Sequence, residues 1–137
     1  TVLGVPRRSR DMSGLHESNA PHVLVTFNGL TFDLPFLHIR AAVHGIPIPW
    51  HPSLFLKRYT TERHADLRAV LSNWDMRAPG SLDDYCDTFG IPNQQAKGSD
   101  IAAMVAAGDR EGIMHKNLSD LRRTAALAQK LSHAGLI

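Results

Sequence analysis

The chain has 137 residues, of which 43% are apolar and 20% charged, with a formal net charge of +2. That length and apolar content describe one domain with a packed core and exclude a disordered chain. The single cysteine, Cys86, excludes an internal disulfide framework and a paired-cysteine zinc site, and such usage fits a reducing, cytoplasmic compartment.

The pI near 9.0 tilts weakly toward an anionic partner. No window approaches the roughly 18 to 20 apolar residues of a membrane helix, so no membrane association is expected. The opening residues do not form a secretory signal, because no apolar segment follows Arg7, Arg8 and Arg10. The chain starts at Thr1 without a methionine, which reads as a piece of something longer.

In chain order, residues 1 to 21 read as an irregular segment. Val2, Leu3 and Val5 suit a short strand, and Pro6, Ser13, Gly14, Ser18, Asn19 and Pro21 are loop composition. Residues 22 to 137 carry the main domain. Val23 to Phe27 is a β-branched and apolar run ending at Asn28-Gly29, as expected of a strand buried on both faces. Leu34 to Val43 reads as a helix stopped by Gly45, Pro47 and Pro49. A long connection follows, and Ala65 to Leu71 suits a short strand or a helix start. Ser81-Leu82-Asp83-Asp84 opens a helix with a serine N-cap and acids in its first turn, and Gly90 and Pro92 close it. Ser99 caps a short helix running to Val105. Asp109 to Leu131 is the longest helical stretch, with an expected interruption at Asn117, where Asp120 stands three residues on. Strand, helix, strand and then helices is α/β order.

Three places carry candidate chemistry. Asp33 stands just past the buried strand, where open α/β sheets place ligands; the competing reading is that it caps the helix starting at Leu34. Asp120 and His115 form the second place. Asp120 can equally be a partner of a helix dipole, and His115 one surface histidine among eight. The third, Ser81 to Tyr85 with Gly90-Ile91-Pro92 and Lys97 to Asp100, looks like helix punctuation. Cys86 within it reads as a small core residue.

Val25-Thr26-Phe27-Asn28-Gly29-Leu30-Thr31-Phe32-Asp33-Leu34-Pro35 resembles the second motif, N-x-x-x-F-D, of the DEDD 3′–5′ exonucleases. It is closest to the bacterial group related to the proofreading domain of B-family DNA polymerases. Arg40-Ala41, His44-Gly45-Ile46-Pro47, Arg58-Tyr59, His64-Ala65-Asp66-Leu67, Ser81-Leu82-Asp83, Gly90-Ile91-Pro92 and Gly98-Ser99 follow in the family's order. Asp120-Leu121-Arg122-Arg123-Thr124 resembles the third motif. The resemblance runs from about residue 22 to 131. Two departures stand out. No Asp-x-Glu, the family's first motif, precedes Asp33, since Asp11 and Glu17 have the wrong spacing. The tyrosine expected four residues before the last aspartate is Lys116, while His115, five before it, has the spacing of the histidine subclass.

The resemblance implies a ribonuclease H-like three-layer α/β fold, here incomplete because the first strands with Asp-x-Glu are missing. The central strand of that fold pairs beside the strand ending at the second motif, so Val23 to Phe27 is expected to expose an unpaired edge or an apolar face. It also implies a two-ion Mg²⁺ or Mn²⁺ phosphodiesterase acting on the 3′ end of single-stranded DNA or RNA. Asp33 and Asp120 would be two of four metal-binding carboxylates and His115 the general base. Asn28, Phe32 and Lys116 would meet substrate, with Asn28 also shaping the turn that aims Asp33. His64 and Asp66 would be structural or, alternatively, contact substrate. On this reading the chain by itself is nearly inactive. The rival readings are a nucleic-acid-binding module without catalysis and a structure-specific endonuclease on the same scaffold.

Overall fold

The computed structural model describes residues 3–5, 23–48, 55–75, 77–92 and 101–137. The expected cap at Ser99, the Lys97 to Asp100 motif and the loop residues after Pro6 lie outside the described residues.

The fold is α/β. Among the described residues its sheet has three strands in the order β1 (Leu3–Val5), β2 (Val23–Thr26) and β3 (His64–Asp66). β1 runs antiparallel to β2, with Leu3 opposite Val25 and Val5 opposite Val23. β2 and β3 are parallel, with Leu24 opposite His64 and Thr26 opposite Asp66. The C-terminal ends of β2 and β3 therefore meet at one end of the sheet, where α/β sheets gather function.

The expectation of an unpaired edge on β2 is corrected. This strand is the middle one, hydrogen-bonded on both sides, and Val23 and Val25 are buried. The Leu3–Val5 segment fills the edge, antiparallel, so the sheet extends into the stretch read as irregular up to residue 21.

Five helices are described: α1 (Asp33–Val43), α2 (Leu67–Leu71), α3 (Leu82–Thr88), α4 (Ile101–Ala107) and α5 (Arg110–His133). Residues 65 to 71, read as a short strand or a helix start, hold both: the end of β3, which begins at His64, and then the short helix α2. The interruption expected at Asn117 does not occur; α5 is continuous for 24 residues, about 36 Å at 1.5 Å per residue. Lys, Leu, Arg and Ala on either side favour helix strongly enough to carry one asparagine through.

The core forms where the second half of α5 crosses the sheet. Leu127, Ala128 and Leu131 pack with Val23, Val25, Ala65, Leu67, Cys86 and Ile91. Burial pushes the Cys86 thiol up from its ordinary value, consistent with a small core residue rather than a nucleophile. By contrast, α1 buries only Leu34, and Phe36, Ile39 and Val43 are exposed. Among the described residues no helix is long and apolar enough to cross a membrane.

Candidate active site

The turn after β2 is built by a buried carboxylate. Asp66, at the end of β3, is 1% exposed. Its Oδ1 accepts from the backbone N–H of Asn28 at 2.8 Å, and its Oδ2 from that of Leu30 at 2.8 Å. It also caps α2 by accepting from the N–H groups of Arg68 at 3.1 Å and Ala69 at 3.4 Å. One side chain thus starts a helix and fixes the turn on the neighbouring strand. Charge-assisted bonds of this kind are stronger than neutral ones.

The turn itself needs its own residues. Asn28 has φ +63°, the left-handed region that asparagine tolerates better than most side chains. Its Oδ1 accepts from Arg68 Nη1 at 3.0 Å and from the Thr31 hydroxyl at 2.7 Å. A Cβ on Gly29 would lie 2.4 Å from Thr26 Oγ1, so only glycine lets the chain pass this close. Thr26 Oγ1 accepts from the Gly29 N–H at 3.2 Å and sits 2.8 Å from His64 Nε2. His64 Nδ1 is 2.6 Å from the Phe55 carbonyl oxygen and must donate to it, which leaves Nε2 to accept from Thr26. Burial lowers the His64 pKa from its ordinary value of 6.5, against smaller opposing effects from the Phe55 carbonyl, Asp66 and Asp33. The ring is a neutral strut.

Phe32 is the N-cap position of α1 and Asp33 its first residue, and no side chain caps this helix end. Asp33 therefore does not serve the capping role that competed with a functional one. Phe32 is 66% exposed, its ring stacked parallel to Phe36 with centroids 6.4 Å apart.

The opposite wall comes from α3 and α5. Ser81 closes a full capping box with Asp84, whose carboxyl is held below its ordinary pKa by the Ser81 backbone N–H and hydroxyl. Tyr85 packs edge-on to Phe27 at 5.9 Å, and a Cβ on Gly80 would strike the Tyr85 ring. On α5, Asp120 is mid-helix, so a dipole role at a helix start does not apply. Its Oδ1 accepts from Arg123 Nη2 at 2.5 Å, and Lys116 Nζ lies 3.5 Å from its Oδ2. Arg123 also donates to Asp83 of α3. Burial opposes the Arg123 charge, but these carboxylates outweigh it and raise the pKa further.

These walls enclose an open cleft of about 610 Å³, lined by Asn28, Phe32, Asp33, Arg68, Ser81, Asn117, Asp120 and their neighbours. Asp33 and Asp120, distant in sequence, share it, together with Asn28 and Phe32. His115 is not among its lining residues: its side chain is 71% exposed and pairs with Glu111 at 3.7 Å. The cause is the unbroken helix. At about 100° per residue, a side chain five positions from Asp120 points roughly 140° away, while one four positions away is only about 40° off. Lys116 therefore occupies the face beside Asp120, and its side chain is 9% exposed.

Residues 12–133 match a family of predicted 3′–5′ exonucleases related to the exonuclease domain of PolB. The chain belongs to this family. No curated protein and no solved structure matches it.

Exonuclease domains of this kind call for divalent ions. Asp33 and Asp120 are the carboxylates lining the cleft, and no group of three or more His, Cys, Asp or Glu able to hold a metal occurs among the described residues. Both oxygens of Asp120 already face cations. The described residues by themselves do not fit a two-ion centre.

Sequence reasoning passed over Arg68, Arg123 and the part of Asp66 that builds the turn. Arg68 had no signal of its own. Asp66 had one: an aspartate at the end of one strand and the start of a helix, beside a second strand ending in Asn-Gly.

Proposed function

We propose that the cleft receives the 3′ end of a single strand of DNA or RNA and that this chain is part of a 3′–5′ exonuclease domain of ribonuclease H-like architecture, cytoplasmic in location. The observation that carries the reading is the meeting of Asp33 and Asp120 in one open cleft, in a chain of an exonuclease family. Phe32 offers an exposed ring face on which a base can stack, typically worth about 1–3 kcal/mol per base. Arg68, in the same lining, supplies positive charge for the phosphate backbone. Asn28 sets the turn. Asp33 and Asp120 are the proposed metal-binding and reacting carboxylates, and hydrolysis requires further carboxylates beyond these two. The chain alone is therefore proposed to bind a strand and hydrolyse it little. His115 is left without a part in proton transfer, since its place on α5 aims it away from Asp120.

A second reading, a binding module without catalysis, is favoured by one observation, the two cations held against Asp120.

The test is nucleotide release from a 5′-labelled single strand with Mg²⁺ or Mn²⁺, using a protein that carries this chain together with an Asp-x-Glu motif. The exonuclease reading expects stepwise shortening from the 3′ end, lost in Asp33→Asn and in Asp120→Asn. Internal cuts would point to an endonuclease instead. Strand binding with no release in any form would establish the binding module.

A further inference from the structure

Lys116 stands four residues, about one helical turn, before Asp120 on α5, and its chemistry there is that of a cation. It is nearly buried, and its ammonium faces Asp120 Oδ2 at 3.5 Å, while Oδ1 takes Arg123 at 2.5 Å. The two contacts differ in kind. Arg123 is locked, because it also donates to Asp83 and so ties α5 to α3. The Lys116 contact is longer than the 2.7–2.9 Å usual for an ammonium on a carboxylate, and it comes from a flexible four-carbon stem. It is the longer of the two contacts on Asp120.

We propose that Lys116 is a built-in counter-ion of the cleft, neutralising Asp120 Oδ2 in place of a divalent cation, so that metal reaches Asp120 only by displacing it. The inference rests on Asp120 belonging to the functional cleft. It accounts for one part of the misfit between the described residues and a two-ion centre, the cation on Asp120 Oδ2. A lysine here lowers metal affinity at Asp120 by like-charge repulsion and by occupying a ligand oxygen. The plainer alternative is a helix ion pair at i,i+4 spacing, which stabilises the helix and predicts no effect on metal binding.

The experiment is Mn²⁺ titration of the chain, followed by calorimetry and by Mn²⁺ electron paramagnetic resonance, which need no enzymatic activity. Lys116→Met removes the charge and keeps the length of the stem; Lys116→Arg keeps a cation. Thermal melts of each establish that it is folded. Lys116→Met is expected to bind Mn²⁺ at least about tenfold more tightly than wild type, Lys116→Arg to remain weak, and Lys116→Met with Asp120→Asn to lose the gain. Equal Mn²⁺ binding by wild type and Lys116→Met, or no binding by either, would overturn the proposal. So would a gain that survives Asp120→Asn. If nuclease assays fail but this pattern appears, the exonuclease reading falls and the counter-ion stands; if the strand is cleaved but the pattern is absent, the reverse holds.

Discussion

The two carboxylates of the cleft are held by opposite means. On the Asp33 side, a buried anion does the holding: Asp66 gathers backbone N–H groups from two segments and leaves Asp33 itself without a capping bond. On the Asp120 side, buried cations hold the carboxylate directly. The difference teaches that one wall of the cleft is pre-arranged with its acid available, while the other presents an acid already neutralised.

Removing each holder should break the two walls unequally. Asp66→Ala strands four backbone N–H donors, those of Leu30 and Ala69 in buried hydrogen bonds, and each buried loss costs about 1–3 kcal/mol. We expect a loss on the order of 3–5 kcal/mol in denaturant unfolding, together with disordering of the turn at Asn28. Arg123→Met leaves Asp83 and Asp120, whose side chains are 47% and 33% exposed and can hydrate. The expected loss is smaller, about 1–3 kcal/mol by the same measurement. If Arg123→Met proves the more damaging, the helix wall and not the turn is the anchored one.

The turn can also be probed through Gly29. Gly29→Ala would push a methyl group into Thr26 and, through it, against His64, with an expected loss of about 1–3 kcal/mol from overpacking. Acid probes the same strut. His64 is neutral in the fold, with a pKa lowered from 6.5, so the unfolded chain binds the extra proton first as pH falls. Stability from this group is fully present above 6.5 and is lost as pH falls from there through the lowered folded value. Thermal melts between pH 7.5 and 5 should show this decline, and it should flatten in His64→Gln. The smallest effect expected is that of His115→Ala. An exposed pair with Glu111 is worth about 0–1 kcal/mol at most, and strand binding should be unchanged.

Much of this was legible in the sequence because the signals are local. The apolar run at Val23, the capping box at Ser81 and Asp84, and the stop at Gly90, which has φ +63°, each depend on neighbours a few residues away. The partner of β2 was not legible. Three residues, Leu3 to Val5, pair with it from a distant part of the sequence, and nothing in their own pattern fixes which strand they join. The continuity of α5 decided which side chain faces Asp120, since a break at Asn117 would have freed His115 to turn inward. Asp66 shows a third kind of limit: its role is set by the parallel register that puts it beside Thr26, a tertiary fact.

On the proposed function, one cleft, carrying both Asp33 and Asp120, is where a nucleic-acid strand binds. Titrating isotope-labelled chain with a short single-stranded oligonucleotide, in the presence of a chelator, and following backbone amide shifts by NMR tests it directly. Saturable shifts are expected at Asn28, Phe32, Ser81, Asn117 and Asp120, with weaker binding in Phe32→Ala. Shifts confined to the groove lined by Phe89, Ala126, Gln129, Lys130 and His133, with the Asp33 cleft silent, would contradict it.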